Sequence, residues 1–130
     1  VYFTGFIDDH DKVIDYLRKS YLAFALYEKN KNSISKYSAV GKPLTYMGAG
    51  LPVFITDVPE IAKDIGKNGG VLVSYDKNEV VEKVKELILD ENKYIDVREK
   101  AIKYAKYHTW DKIFSNAMKN TLKHLKWKYS

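Results

Sequence analysis

Apolar and polar positions along this chain alternate between two regimes. Short continuous apolar runs at Val1 to Ile7, Tyr21 to Tyr27, Leu51 to Thr56 and Val71 to Tyr75 predict strands covered on both faces. Between and after them, apolar residues recur at helical spacing. Val13, Ile14, Leu17 and Tyr21 form one such face, with Asp9 or Asp11 as its cap. Ile61, Ala62 and Ile65 form the next, behind Asp57 as cap and Pro59 in the first turn. Val80, Val81, Val84, Leu87 and Ile88 follow Asp76 or Asn78. Tyr94, Val97, Ala101 and Ala105 mark a helix over about 92–107, and Trp110, Ile113, Phe114, Ala117, Met118 and Leu122 mark a last one from Thr109. Four strands alternating with helices give the α/β class, an open parallel sheet with helices on both faces and right-handed crossovers.

The segment Lys42 to Asp57, KPLTYMGAGLPVFITD, organises the rest. It reads as a helix ending at Gly50, a natural terminator, that leads straight into a buried strand. Pro52 suits the first strand position, where no ladder donor is needed. Small Gly48 and Ala49 allow that helix to pack closely on the sheet.

Ligands of open α/β sheets bind beyond the carboxyl ends of the strands. That rule selects Gly5-Phe6-Ile7, the polar loop Glu28 to Gly41, Asp57-Val58 and Tyr75-Asp76. Within them, Ser38-Ala39-Val40-Gly41-Lys42 stands out. Free backbone donors at a helix start, a glycine permitting close approach and a lysine together suit a diphosphate. An ordinary helix start with a solvated lysine fits the same spacing, so the residues alone leave both readings open.

Composition narrows the field. At 130 residues the chain is one domain with a modest core, and no apolar run approaches the ~20 residues of a membrane span. It has no cysteine, which excludes disulfides and thiolate metal sites and accords with a reducing, cytoplasmic compartment. His10, His108 and His124 lack metal-ligand spacing, so no metal is expected. The net charge is +5, concentrated late: from Lys93 onward ten Lys or Arg face three Asp or Glu. No nucleic-acid-binding motif accompanies it, and no nucleic-acid partner is expected. In the tail, Lys119 to Ser130 sets Leu122, Leu125 and Tyr129 among lysines, a pattern suited to peripheral contact with an anionic membrane. Packing of that helix on another domain is the competing expectation.

The organising segment also carries a family resemblance. Lys42, Leu44 (one place late), Tyr46, Met47, Ala49, Gly50, Pro52 and Val53 resemble the core of the donor-binding domain of GT-B, family-4-like (group 1) glycosyltransferases. Val1-x-Phe3-x-Gly5, Gly70-Val71-Leu72-Val73 and Thr109-Trp110-Asp111 resemble further elements of that domain. The resemblance implies a Rossmann-like fold, here a partial GT-B C-terminal domain over 1–130. It also implies transfer of a sugar from a nucleoside-diphosphate sugar to a glycan or lipid-linked acceptor, as in polysaccharide biosynthesis, with no cofactor beyond that donor. By this resemblance Gly5, Phe6 and Ile7 line the base pocket, Lys42 and the backbone near Gly41, with Ala39 and Val40 before it, hold phosphate, Thr45 meets the ribose and Tyr37 or Ser38 the sugar. The family's two glutamates, seven residues apart, fall on Tyr37 and Thr45, so both carboxylates are missing and the catalytic residues are left unassigned. Two early strands of the family domain are also absent. They lie between the strands at Val1 and Tyr21 in the family's strand order, so their loss exposes sheet edges. The chain thus resembles a piece of a longer parent, whose N-terminal domain binds the acceptor and receives the helix at 109–130. A non-catalytic α/β nucleotide-binding or interaction module is the alternative.

Overall fold

A computed structural model describes residues 1–29, Ile34 and 41–128, together with all side chains among them up to Leu125. The element order is α1 (His10–Arg18), β1 (Ala23–Ala25), α2 (Gly41–Gly48), β2 (Val53–Thr56), α3 (Ala62–Lys67), β3 (Gly70–Val73), α4 (Lys77–Leu89), α5 (Glu91–Tyr107) and α6 (Trp110–Lys128). The three strands form one parallel sheet in the order β1-β2-β3, with Ala23 opposite Val53 and Val53 opposite Gly70. The α/β reading of the sequence therefore holds, with three strands rather than four.

The missing strand is the first. Val1 to Asp9 takes no regular structure, and Phe6 is 95% exposed. An apolar run becomes a strand only where a neighbour offers a ladder, and no described strand pairs with this one. Two smaller corrections are local. The helix after β2 starts at Ala62 rather than at Pro59, because Pro59 to Ile61 forms a turn closed by the Ala62 N–H on the Pro59 carbonyl at 2.9 Å. Asp57 consequently caps nothing and lies 3.7 Å from Lys63.

Side-chain alternation along β2 divides the core. Val53 and Ile55 face one cluster with Ala25, Met47, Ala62, Ile65, Ala101 and Tyr104, which joins β1, α2, α3 and the second half of α5. Phe54 faces the other, with Val73, Leu87 and Tyr94, which joins α4 to the first half of α5. Helix α5 therefore contributes to both clusters. Glycine makes its approach possible: a Cβ on Gly69 would overlap the Ala101 backbone, and Gly69 also has φ of +105°. Gly48 packs against Ala105 of α5 at a would-be 3.9 Å rather than against the sheet as expected.

Helix ends follow the sequence signals closely. Asp9, Asp76 and Asp90 accept backbone N–H bonds in the first turns of α1, α4 and α5 at 2.9–3.3 Å. Gly50, at φ +83°, closes α2: its N–H donates to the Met47 carbonyl and that of Leu51 to Tyr46, both at 3.0 Å. This is a Schellman arrangement, and it turns the chain directly into β2.

Candidate functional site

The carboxyl ends of the strands and the start of α2 form the rim that carries the candidate residues. Gly41 and Lys42 open α2, and both are exposed. A Cβ on Gly41 would have no atom of another described residue within 4 Å. Pro43 is buried in the first turn, where a helix needs no proline N–H. Among the described residues Lys42 has no carboxylate within ion-pair distance. Partial positive charge at the helix start and a lysine without a described carboxylate partner together favour an anion.

Thr45 sits one turn further along and is half-buried. Its hydroxyl donates back to the Gly41 carbonyl at 3.2 Å. The proton of this group is thereby committed, which leaves the oxygen free to act as a hydrogen-bond acceptor. An acceptor is also what a carboxylate would supply to a sugar hydroxyl, although without charge a threonine binds more weakly.

Gly5, Phe6 and Ile7 are not gathered with these residues into a pocket, since the segment has no strand to hold it. Gly5 has φ of +69°, a conformation that suits glycine. Tyr37, Ser38, Ala39 and Val40 lie outside the described residues.

Two features of the rim were not anticipated from the sequence. The first is Thr56, the last residue of β2 and 2% exposed. It accepts the Tyr27 N–H at 2.8 Å and donates to the Tyr27 carbonyl at 2.9 Å. One hydroxyl thus satisfies both backbone groups where β1 gives way to the segment leading to α2. Burial pushes the Tyr27 phenol above its ordinary pKa, and the neighbouring Tyr46 phenol adds to the rise, so Tyr27 stays neutral. A lone polar residue ending an apolar strand run was the available signal.

The second closes β3. Glu79 lies 2.8 Å from Lys83 and accepts bonds from the Ser74 hydroxyl and N–H, while Lys83 donates to the Leu72 carbonyl at 2.7 Å. The Lys83 ammonium and the Ser74 hydroxyl hold the Glu79 carboxyl down at about 2. A carboxylate so held is a structural clasp and not a proton-transfer group at neutral pH. The spacing Asp76-x-x-Glu79 was its trace in the sequence, although Glu79 reaches Ser74 and not back to the Asp76 N–H as in a capping box.

A cavity of about 320 Å³ lies between Lys67 and Asn68 of the α3 end and Lys100, Lys103, Tyr104 and Tyr107 of α5. It is at the opposite end of the parallel sheet from the start of α2, because Lys67 and Asn68 lead into the first residue of β3. It therefore cannot share a small ligand with Lys42. Among the described residues no cluster could hold a metal ion, and no helix is long and apolar enough to cross a membrane.

Residues 1–90, from the leading segment through α4, match the family model described as Glycosyl transferases group 1. No curated protein and no solved structure matches the chain.

Proposed function

The chain belongs to the group 1 glycosyl transferases, and we propose that it is the donor-binding part of an enzyme moving a sugar from a nucleoside-diphosphate sugar to a glycan or lipid-linked acceptor. The observation that supports this best is the start of α2, where Gly41 and the exposed Lys42 meet on one rim. In this reading the diphosphate lies on that helix start, with Lys42 neutralising charge and the Gly41 backbone approached closely. A charge-assisted contact of this kind is worth about 1.5–3 kcal/mol. Thr45 accepts a ribose hydroxyl, and Tyr37 with Ser38 meets the sugar. Gly5, Phe6 and Ile7 cover the base once the leading segment finds its strand neighbours. An N-terminal domain of the same parent chain holds the acceptor and completes the catalytic machinery.

A binding module without catalysis is the second reading. What favours it is Thr45, a neutral residue already bonded to Gly41 where relatives of this kind carry a carboxylate.

One experiment separates the two. The full-length protein, as wild type, Lys42→Ala and Thr45→Ala, is assayed for donor hydrolysis and transfer across a panel of nucleotide sugars. Turnover that falls by tenfold or more in Lys42→Ala (~1.4 kcal/mol or more) with the fold intact supports the donor site. Nucleotide binding without turnover supports the module, and neither binding nor turnover overturns the enzyme reading and leaves an interaction module ahead.

A further inference from the structure

The face of α5 made by Lys100, Lys103, Tyr104 and Tyr107, at spacings of three and four, looks across the cavity of about 320 Å³ at Lys67 and Asn68, where α3 ends. The walls are fixed to one another. Tyr104, 8% exposed, donates its hydroxyl to the Asp64 carboxylate. The Asn68 amide donates to the Asp64 carbonyl at 2.8 Å and to its carboxylate at 3.2 Å. One residue on, Gly69 lies so close to Ala101 that no side chain fits between them. The hollow is therefore framed by the joint between α3 and α5.

Its lining is strongly basic. Lys67 complements the last turn of α3, and Lys100 pairs with Asp96 at 2.6 Å. Lys103 has neither role, and among the described residues neither it nor Lys67 has a carboxylate within ion-pair distance. From α6, Lys112 adds a fourth cation 4.6 Å from the centre of the Tyr107 ring. Against these stand Asp64, engaged by Tyr104 and Asn68, and Asp96. A cleft lined mainly by one sign of charge focuses its field on the space it encloses, here for an anion.

We infer that this cavity binds a small organic phosphate of the size of a phosphorylated monosaccharide, at a site separate from the donor rim. Lys67 and Lys103 take the phosphate, and Lys100 adds to the field. The Asn68 nitrogen is already committed to Asp64, which leaves its side-chain oxygen to accept a ligand hydroxyl. Tyr107, 62% exposed, lies against the carbon skeleton. The volume is at the small end of the range of about 300–1,000 Å³ for ligand sites, which suits one phosphorylated sugar better than a nucleotide sugar.

The test is calorimetric titration of the full-length protein with glucose 6-phosphate, inorganic phosphate and glucose. Glucose 6-phosphate binds, inorganic phosphate binds more weakly, and glucose does not bind. Lys67→Ala with Lys103→Ala, two exposed positions, weakens glucose 6-phosphate by at least about tenfold while circular dichroism stays that of wild type. Tyr107→Ala weakens the ester and leaves inorganic phosphate unchanged. Lys42→Ala, at the donor rim, leaves the ester titration unchanged. No binding of glucose 6-phosphate at millimolar concentration overturns the inference, as does equal binding by the lysine pair. Loss of binding in Lys42→Ala overturns it too, since the phosphate then sits at the donor rim. So does inorganic phosphate or glucose binding as tightly as the ester. No arm requires turnover, so failure of the donor reading leaves these outcomes distinct.

Discussion

The Thr56 hydroxyl holds both backbone polar groups of Tyr27, accepting the N–H at 2.8 Å and donating to the carbonyl at 2.9 Å across 29 residues of sequence. The pairing fixes where β1 ends and where the segment that leads to α2 departs. A buried residue spent in this way positions a rim without touching a ligand.

Replacing Thr56 by Val removes the hydroxyl at nearly constant volume and leaves the Tyr27 amide and carbonyl without that partner. The expected loss is about 1–3 kcal/mol of stability. Thr56→Ser keeps the hydroxyl and loses less. Urea denaturation of the three proteins checks the order, and a Val variant as stable as wild type would show that the clasp is energetically idle.

Gly41 and Gly69 separate backbone need from ligand need. Gly69→Ala must overlap the Ala101 backbone and hold alanine at positive φ, which costs on the order of 3 kcal/mol or more. Gly41→Ala adds a methyl at the first residue of α2, with no other described residue within 4 Å, and should leave stability within about 0.5 kcal/mol of wild type. If a diphosphate approaches that backbone, donor KM rises in Gly41→Ala while the fold is unchanged. Thermal melts and donor titration of the same variants measure both effects.

Thr45→Glu restores the carboxylate that the family resemblance places at this position. A charged acceptor in place of the Thr45 oxygen should lower donor KM by up to about tenfold. Thr45→Ala should raise it a few-fold. Steady-state kinetics with a responsive nucleotide sugar reads both, and a Glu variant that binds donor more weakly would mean that Thr45 does not face the ribose.

Glu79 sets a pH dependence in acid. Its folded pKa of about 2 lies below the ordinary 4.5, so its contribution is fully present above 4.5 and disappears as pH falls toward 2. Glu79→Gln should therefore flatten the loss of stability between those limits and leave the curve above pH 5 parallel to wild type. Tyr104 works in the other direction. Burial, then its bond to Asp64, raises its phenol above the ordinary 10, so the stabilisation is present below pH 10 and lost in stronger alkali. Tyr104→Phe removes that alkaline slope in a pH series of melts.

What was legible in the sequence follows from range along the chain. Asp9, Asp76 and Gly50 act on neighbours within a few residues, and the structure finds each at the helix end the sequence assigned to it. Val1 to Ile7 has the composition of a strand, yet strand formation is settled by a partner elsewhere, and none is described. The Asp57 cap was misread because Pro59 to Ile61 turns before α3 begins. In the candidate site, the start of the helix at Gly41 and Lys42 could be read from the sequence. The Thr56 clasp could not, since its partner lies 29 residues away, and no periodicity reports a hydroxyl facing a distant backbone.

Helix α5 lies beyond the residues that match the family, yet Tyr94 belongs to one hydrophobic cluster and Ala101 and Tyr104 to the other. It acts as a keel, so that neither side of the sheet can open without disturbing the other. The domain should therefore melt as one cooperative unit, with the slowest amide exchange along β2 and the middle of α5. A version cut at residue 90 would keep the family match and lose the domain.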